Sequence, residues 1–110
     1  MELYKSFFME KGFTFNGEQY GGKSFTTSYY NLVKDILNGK HGKIPGPRIL
    51  NKMFMSTVYI NYDEMPKSVK DRKLYKQLGD IYVLTNKDIK GFSSSIRRIS
   101  KYMNKSVIFH

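Results

Sequence analysis

The stretch Gly17-Glu18-Gln19-Tyr20-Gly21-Gly22-Lys23-Ser24 matches the pattern G-x-x-x-x-G-K-[ST] at every fixed position. The pattern has a chemical reason. Glycines let backbone N–H groups converge on phosphate oxygens where side chains would stand in the way, and a following helix start adds positive potential. Gly17 and Gly22 would give the loop its freedom, Lys23 would reach the β- and γ-phosphates of ATP, and Ser24 would ligate Mg²⁺. The same stretch has a plainer reading. Asn16-Gly17 is a favoured dipeptide for a type I′ turn, which would make the segment a hairpin tip.

A second stretch, Val58-Tyr59-Ile60-Asn61-Tyr62-Asp63-Glu64, is an apolar run ending in two acids. At such a strand end Asp63 can hold Mg²⁺ through water and Glu64 can polarise an attacking water. A third, Val83-Leu84-Thr85-Asn86, ends in a polar amide. In this order the three stretches resemble the P-loop ATPases with an extra central strand. They look closest to the FtsK/HerA-like group, which includes viral DNA-packaging and Zot-type assembly ATPases. The resemblance covers about residues 13–109, and the segment 72–97 adds to it with a basic helix, a strand and an amphipathic helix carrying Ile96-Arg97-Arg98. It implies ATP–Mg²⁺ as cofactor, held by Gly17, Gly22, Lys23 and Ser24, with Asp63 as a second metal contact. It also implies Glu64 and Asn86 as catalytic residues, and a homo-oligomer to which Arg97 or Arg98 lends an arginine finger.

These residues need elements to hold them. Phe13-Thr14-Phe15 reads as a short strand. Ser24 or Thr26 then caps a helix running to Asn38, with Gly39 as its stop and Tyr29, Leu32, Val33, Ile36 and Leu37 as its apolar stripe. Glycines and prolines from 39 to 48 forbid regular structure, and 48–55 stays open between strand and short helix. Residues 57–62 are β-branched and aromatic, a strand. Pro66 suits the first turn of a helix that Gly79 ends, and 80–85 is another strand. Ile89, Phe92, Ile96, Ile99 and Met103 recur at spacings of three and four, a helix, and 105–109 closes as a strand. Strands alternating with helices imply an α/β fold: one domain over 1–110, with a small, mostly parallel sheet and helices on both faces.

The chain carries 19 Lys and Arg against 9 acids, a net charge of +10. Such a surplus repels itself in the folded state and fits an anionic partner, nucleic acid first of all. Lys70, Lys73 and Lys76 on the expected 66–79 helix, with Arg97, Arg98 and Lys101 on the last one, would flank strand 80–85 and form one phosphate-neutralising face. Their plain reading is a solvated surface. Tyr20, Tyr29 and Tyr30 could stack on bases, although tyrosines at helical spacing are more often core. The absence of cysteine excludes disulfides, thiolate catalysis and Cys-ligated zinc. His41 in a loop and His110 at the last position make a poor basis for a metal site or catalytic base. The apolar runs are too short to span a membrane and the first residues lack a signal-peptide core, so a cytoplasmic protein with no membrane partner is expected. Richness in Lys, Asn, Tyr and Ile suits an AT-rich viral genome, that of a phage.

Two readings therefore stand. The first is a small P-loop NTPase acting on nucleic acid. The second is a non-enzymatic, phage-type basic protein that binds nucleic acid or inhibits a host enzyme. The first requires parallel strands and a 17–24 loop wrapped round a helix start, whereas the second allows a hairpin tip there.

Overall fold

Residues 12–22 and 24–110 are described by a computed structural model. In chain order they form β1 (Phe13–Phe15), β2 (Glu18–Tyr20), α1 (Phe25–Leu37), α2 (Pro47–Met53), β3 (Val58–Tyr59), a 3₁₀ turn (Tyr62–Glu64), α3 (Lys67–Arg72), β4 (Tyr75–Leu78), β5 (Ile81–Leu84), α4 (Ile89–Met103) and β6 (Val107–Phe109). The strands make two separate three-stranded sheets, ordered β2-β1-β6 and β3-β5-β4. Every pairing is antiparallel.

The mostly parallel sheet expected from the sequence is thus overturned, and two short connections explain why. Asn16 and Gly17 have φ of +52° and +80°. This is the type I′ geometry, and it joins β1 directly to β2 with Phe15 opposite Glu18. Gly79, at φ +60°, opens the equally short turn between β4 and β5, with Leu78 opposite Ile81. A two-residue link can connect only antiparallel neighbours, because a parallel pair needs a long crossover.

The second link also corrects the expected 66–79 helix. That helix stops at Arg72, where Lys73 turns left-handed at φ +51°, and Tyr75–Leu78 becomes a strand. The 57–62 strand is likewise shorter than expected. Only Val58 and Tyr59 pair, and the Asn61 side chain then accepts from the Asp63 amide at 3.0 Å to start the 3₁₀ turn. The open segment after Arg48 resolves as α2, with Pro47 in its first turn, where a missing N–H does no harm.

Both long helices follow their sequence signals. The Ser24 hydroxyl accepts from the Thr27 amide at 3.2 Å and starts α1; Asn38 and Gly39 end it. The Asp88 carboxylate accepts from the Gly91 amide at 2.7 Å and starts α4. α1 and α4 pack on each other and on the first sheet. Phe13, Phe15, Tyr29, Leu32, Phe92 and Ile96 fill the space between them. Thr14, with Gln19 and Ile108 opposite it, lies on the other, more exposed side of the sheet. Met65, Val69 and Leu84 make a second, smaller cluster behind the β3-β5-β4 sheet.

A chain of hydrogen bonds ties the loop after α1 to the hairpin. The Asn16 amide lies 3.3 Å from His41 Nδ1, His41 Nε2 lies 2.6 Å from the Tyr20 hydroxyl, and that hydroxyl donates to Asp35 at 2.6 Å. With the Tyr20 proton given to Asp35, the phenol oxygen accepts from Nε2–H, and Nδ1 accepts from Asn16. This is a neutral imidazole, consistent with its burial. Lys40 completes the cluster with ion pairs to Glu18 at 3.2 Å and Asp35 at 3.6 Å.

Burial lowers the His41 pKa below the usual 6.5; Lys40 and Lys105 push the same way, while Asp35 and Glu18 oppose them. The unfolded chain therefore binds the proton more readily, and stability rises with pH in this window. As pH falls from 7.5 through about 6.5 to 5.5, the His41 contribution should be lost. Urea unfolding at those two pH values should show the difference in wild type, and His41→Gln should flatten it. An equal loss in the variant would assign the pH dependence elsewhere.

Candidate nucleic-acid interface

α4 is built from Ile89-Lys90-Gly91-Phe92-Ser93-Ser94-Ser95-Ile96-Arg97-Arg98-Ile99-Ser100-Lys101-Tyr102-Met103, with no acid inside it. Phe92, Ser95, Ile96 and Ile99 are buried, which fixes the rotation of the helix. Lys90, Ser94, Arg97 and Lys101 consequently share the opposite, exposed face, at steps of four, three and four. This acid-free cationic stripe runs for about 16 Å at 1.5 Å per residue. The Arg97 guanidinium lies 4.7 Å from the Phe109 ring centroid, so β6 supports it from below.

At the start of α4 the stripe opens into a cleft shared with the start of α1. Ser24, Thr26, Lys87, Asp88 and Lys90 line it, above the rings of Phe25 and Phe92. Two helix N-termini therefore border one concavity that also holds two lysines. The Asp88 carboxylate is the one acid in its lining.

The other sequence-derived site residues scatter. Gly17 is the exposed tip of the first hairpin. Glu18, Gln19 and Tyr20 are extended, so their N–H groups point alternately to the two sides of β2 instead of converging on one point. Gly22 is exposed at φ +151°, and Lys23 lies outside the described residues. Asp63 and Glu64 are exposed in the 3₁₀ turn. Glu64 lines a recess with Asn51, Met55 and Ile60, whereas Ser24 lines the cleft between α1 and α4. Asn86 is exposed in the connection between β5 and α4. Among the described residues no group of three or more His, Asp or Glu could hold a metal ion.

The six cations expected on one face divide as well. Lys70 sits on α3 with its ammonium 5.7 Å from the Tyr62 ring, and Lys73 is the left-handed residue ending that helix. Lys76 belongs to β4 and lies 4.3 Å from the Tyr30 ring. Arg98 turns inward: Nε donates to the Met53 carbonyl at 3.2 Å and an Nη to the Met55 carbonyl at 2.7 Å. Arg97 and Lys101 remain together and open. Among the described residues, Lys40 alone of all the cations pairs with a carboxylate.

The tyrosines considered for base stacking are engaged internally. Tyr20 is buried in the His41 cluster. The Tyr29 hydroxyl bonds Thr57 Oγ1 at 2.7 Å, and burial pushes its pKa up to about 12. Tyr30 lies under Lys76.

Lys87 and Lys90 were not singled out in the sequence. The signal was there, because Lys90 precedes Arg97 and Lys101 on the same helical face. Among the described residues no helix is long and apolar enough to cross a membrane. No protein-family model, no curated protein and no solved structure matches the chain.

Proposed function

We propose that the protein is a non-enzymatic basic module that binds nucleic acid through its phosphates, using the outer face of α4. One observation carries this reading: Lys90, Arg97 and Lys101 are aligned, exposed and free of acidic neighbours on their own helix. Such contacts neutralise phosphates and release condensed counterions without reading base identity. Fluorescence anisotropy with two unrelated duplexes, at three salt concentrations, tests it. Log Kobs should fall linearly with log[salt], by about 0.9 per phosphate neutralised. Arg97→Glu should weaken binding to both duplexes alike and flatten the slope. Absent or salt-independent binding would remove the proposal.

Nucleotide binding at Ser24 is the second reading, favoured by the two helix starts and two lysines that share its cleft. The two differ in a melting experiment. A ligand that binds only the folded state raises Tm by mass action. On the first reading, an oligonucleotide raises Tm and millimolar ATP–Mg²⁺ does no more than inorganic triphosphate. A shift specific to ATP–Mg²⁺ and lost in Lys23→Ala would favour the second.

A further inference from the structure

Tyr20, Tyr29 and Tyr30 are engaged internally, but other tyrosines share one face of the β3-β5-β4 sheet. Register sets Tyr59 opposite Tyr82 and Tyr82 opposite Gln77, so these side chains form a row across all three strands. Tyr75, two positions before Gln77 on β4, joins them on the same side. Tyr62 reaches this face from the 3₁₀ turn. Its ring centroid lies 6.1 Å from that of Tyr75 and 5.6 Å from that of Tyr82, and those two lie 5.5 Å apart. The three pairs meet edge to face, at 83°, 68° and 81°, so none of these rings is stacked flat on another. Tyr62 is 39% exposed, and Tyr59, Tyr75 and Tyr82 are half-buried. Val58, Ile81 and Val83 turn the other way, into the main core.

Local charge does not choose the occupant, since Lys70 and Asp71 both act on Tyr62. Ring chemistry does, once the ligand is a nucleic acid. Aromatic side chains stack on nucleobases whatever their sequence. A duplex keeps its bases inside its own stack and meets a protein with phosphates and groove edges. Phosphate contacts at α4 therefore serve either form, whereas half-exposed tyrosines serve a strand whose bases are free. We infer that the nucleic-acid ligand is single-stranded and that its bases stack on Tyr62, Tyr75 and Tyr82. This rests on the proposed nucleic-acid function and adds to it contacts that the α4 stripe does not make. The Lys70 ammonium, 5.7 Å from the centroid of the Tyr62 ring, is placed to meet a phosphate of the stacked nucleotide.

Charge alone favours the duplex, because a single strand releases fewer counterions per phosphate neutralised. A tighter single strand is therefore a mark of base contact. Fluorescence anisotropy at one salt concentration compares a labelled duplex, one of its strands alone, and an abasic strand of the same length. The single strand should bind severalfold more tightly than either of the others. The chain has no tryptophan, so its emission is that of tyrosine, and the single strand should quench it. Tyr62→Ala should weaken single-strand binding roughly fivefold or more, the effect of losing one stacked base, and leave the duplex unchanged. Tyr62→Phe, which keeps the ring, should bind like wild type. Tyr82→Leu, which keeps apolar bulk but removes a ring, should weaken the single strand too, so one poorly folding variant does not end the test. Salt-dependent duplex binding with an abasic strand bound as tightly as the natural one would overturn the inference and leave the α4 reading standing. Single-strand affinity unchanged in both Tyr62→Ala and Tyr82→Leu would overturn it as well. No binding of any oligonucleotide would remove both. Saturable binding of a proline-rich peptide, lost in Tyr62→Ala and found in place of base-dependent binding, would give the face to a protein.

Discussion

Phe92→Ala should destabilise the protein by about 3–5 kcal/mol, the usual effect of emptying an aromatic site in a closed core. Phe92 is 1% exposed, with its ring centroid 4.9 Å from that of Tyr29 and 6.3 Å from that of Phe25. It is the residue through which the first turn of α4 grips α1. Small domains are stable by only about 5–15 kcal/mol, so the loss would be a large share of the total. Urea unfolding checks it: the midpoint should fall steeply, and Phe92→Leu should recover most of the loss because it restores most of the volume. A midpoint unchanged in Phe92→Ala would mean that α4 does not pack on α1 through this ring.

The second large effect separates two adjacent arginines. Arg98→Met keeps the aliphatic stem but removes the donors to the Met53 and Met55 carbonyls. Hydrogen bonds from charged donors contribute about 1.5–3 kcal/mol when well formed, and carbonyls at a helix end otherwise lack partners. For a domain near this size, each kcal/mol moves Tm by roughly 4–8 °C. Arg98→Glu should be worse, since it sets a carboxylate against two carbonyl oxygens. Arg97→Glu should do the reverse. Its loss of stacking on Phe109 should be about 0.5–1 kcal/mol, while nucleic-acid affinity falls clearly. Calorimetry and anisotropy on the same three variants check the pair. If Arg98 variants melted like wild type but bound nucleic acid poorly, the roles of the two arginines would be exchanged.

How much of this was legible depends on how far each determinant lies along the chain. α1 and α4 were legible because their apolar spacing is local, and so is the Ser24 cap of α1. The hairpin turn was visible too, in Asn16-Gly17, but the glycine-lysine-serine pattern beginning at the same residue offered a rival use for it. Residues 66–79 misled for a different reason. Val69, Leu74, Tyr75 and Leu78 suit a helical face, and only the left-handed turn at Lys73 and the ladder with β5 make Tyr75–Leu78 a strand. The parallel sheet came from counting elements in order while passing over the length of their links. Arg98 looked like its neighbour because the carbonyls it holds are more than forty positions away in sequence. The recess lined by Leu37, Leu50, Phe54, Val58 and Ile81 had no signature at all, since its walls come from α1, α2, β3 and β5.

The position of β1 at the centre of the β2-β1-β6 sheet has a consequence for how the chain is made. Phe13 pairs with Phe109 and Phe15 with Val107, so a strand synthesised near the beginning waits for one synthesised near the end. Chains grow on the ribosome at about 5–20 residues per second, so for several seconds the β1-β2 hairpin has only α1 to pack against. Such a hairpin is marginal in water, and α4, which covers the same phenylalanines, also emerges late. Non-local pairings of this kind slow folding, because the loop must close before the contact repays it. Until β6 and α4 emerge, the growing chain therefore leaves the phenylalanines of β1 incompletely covered.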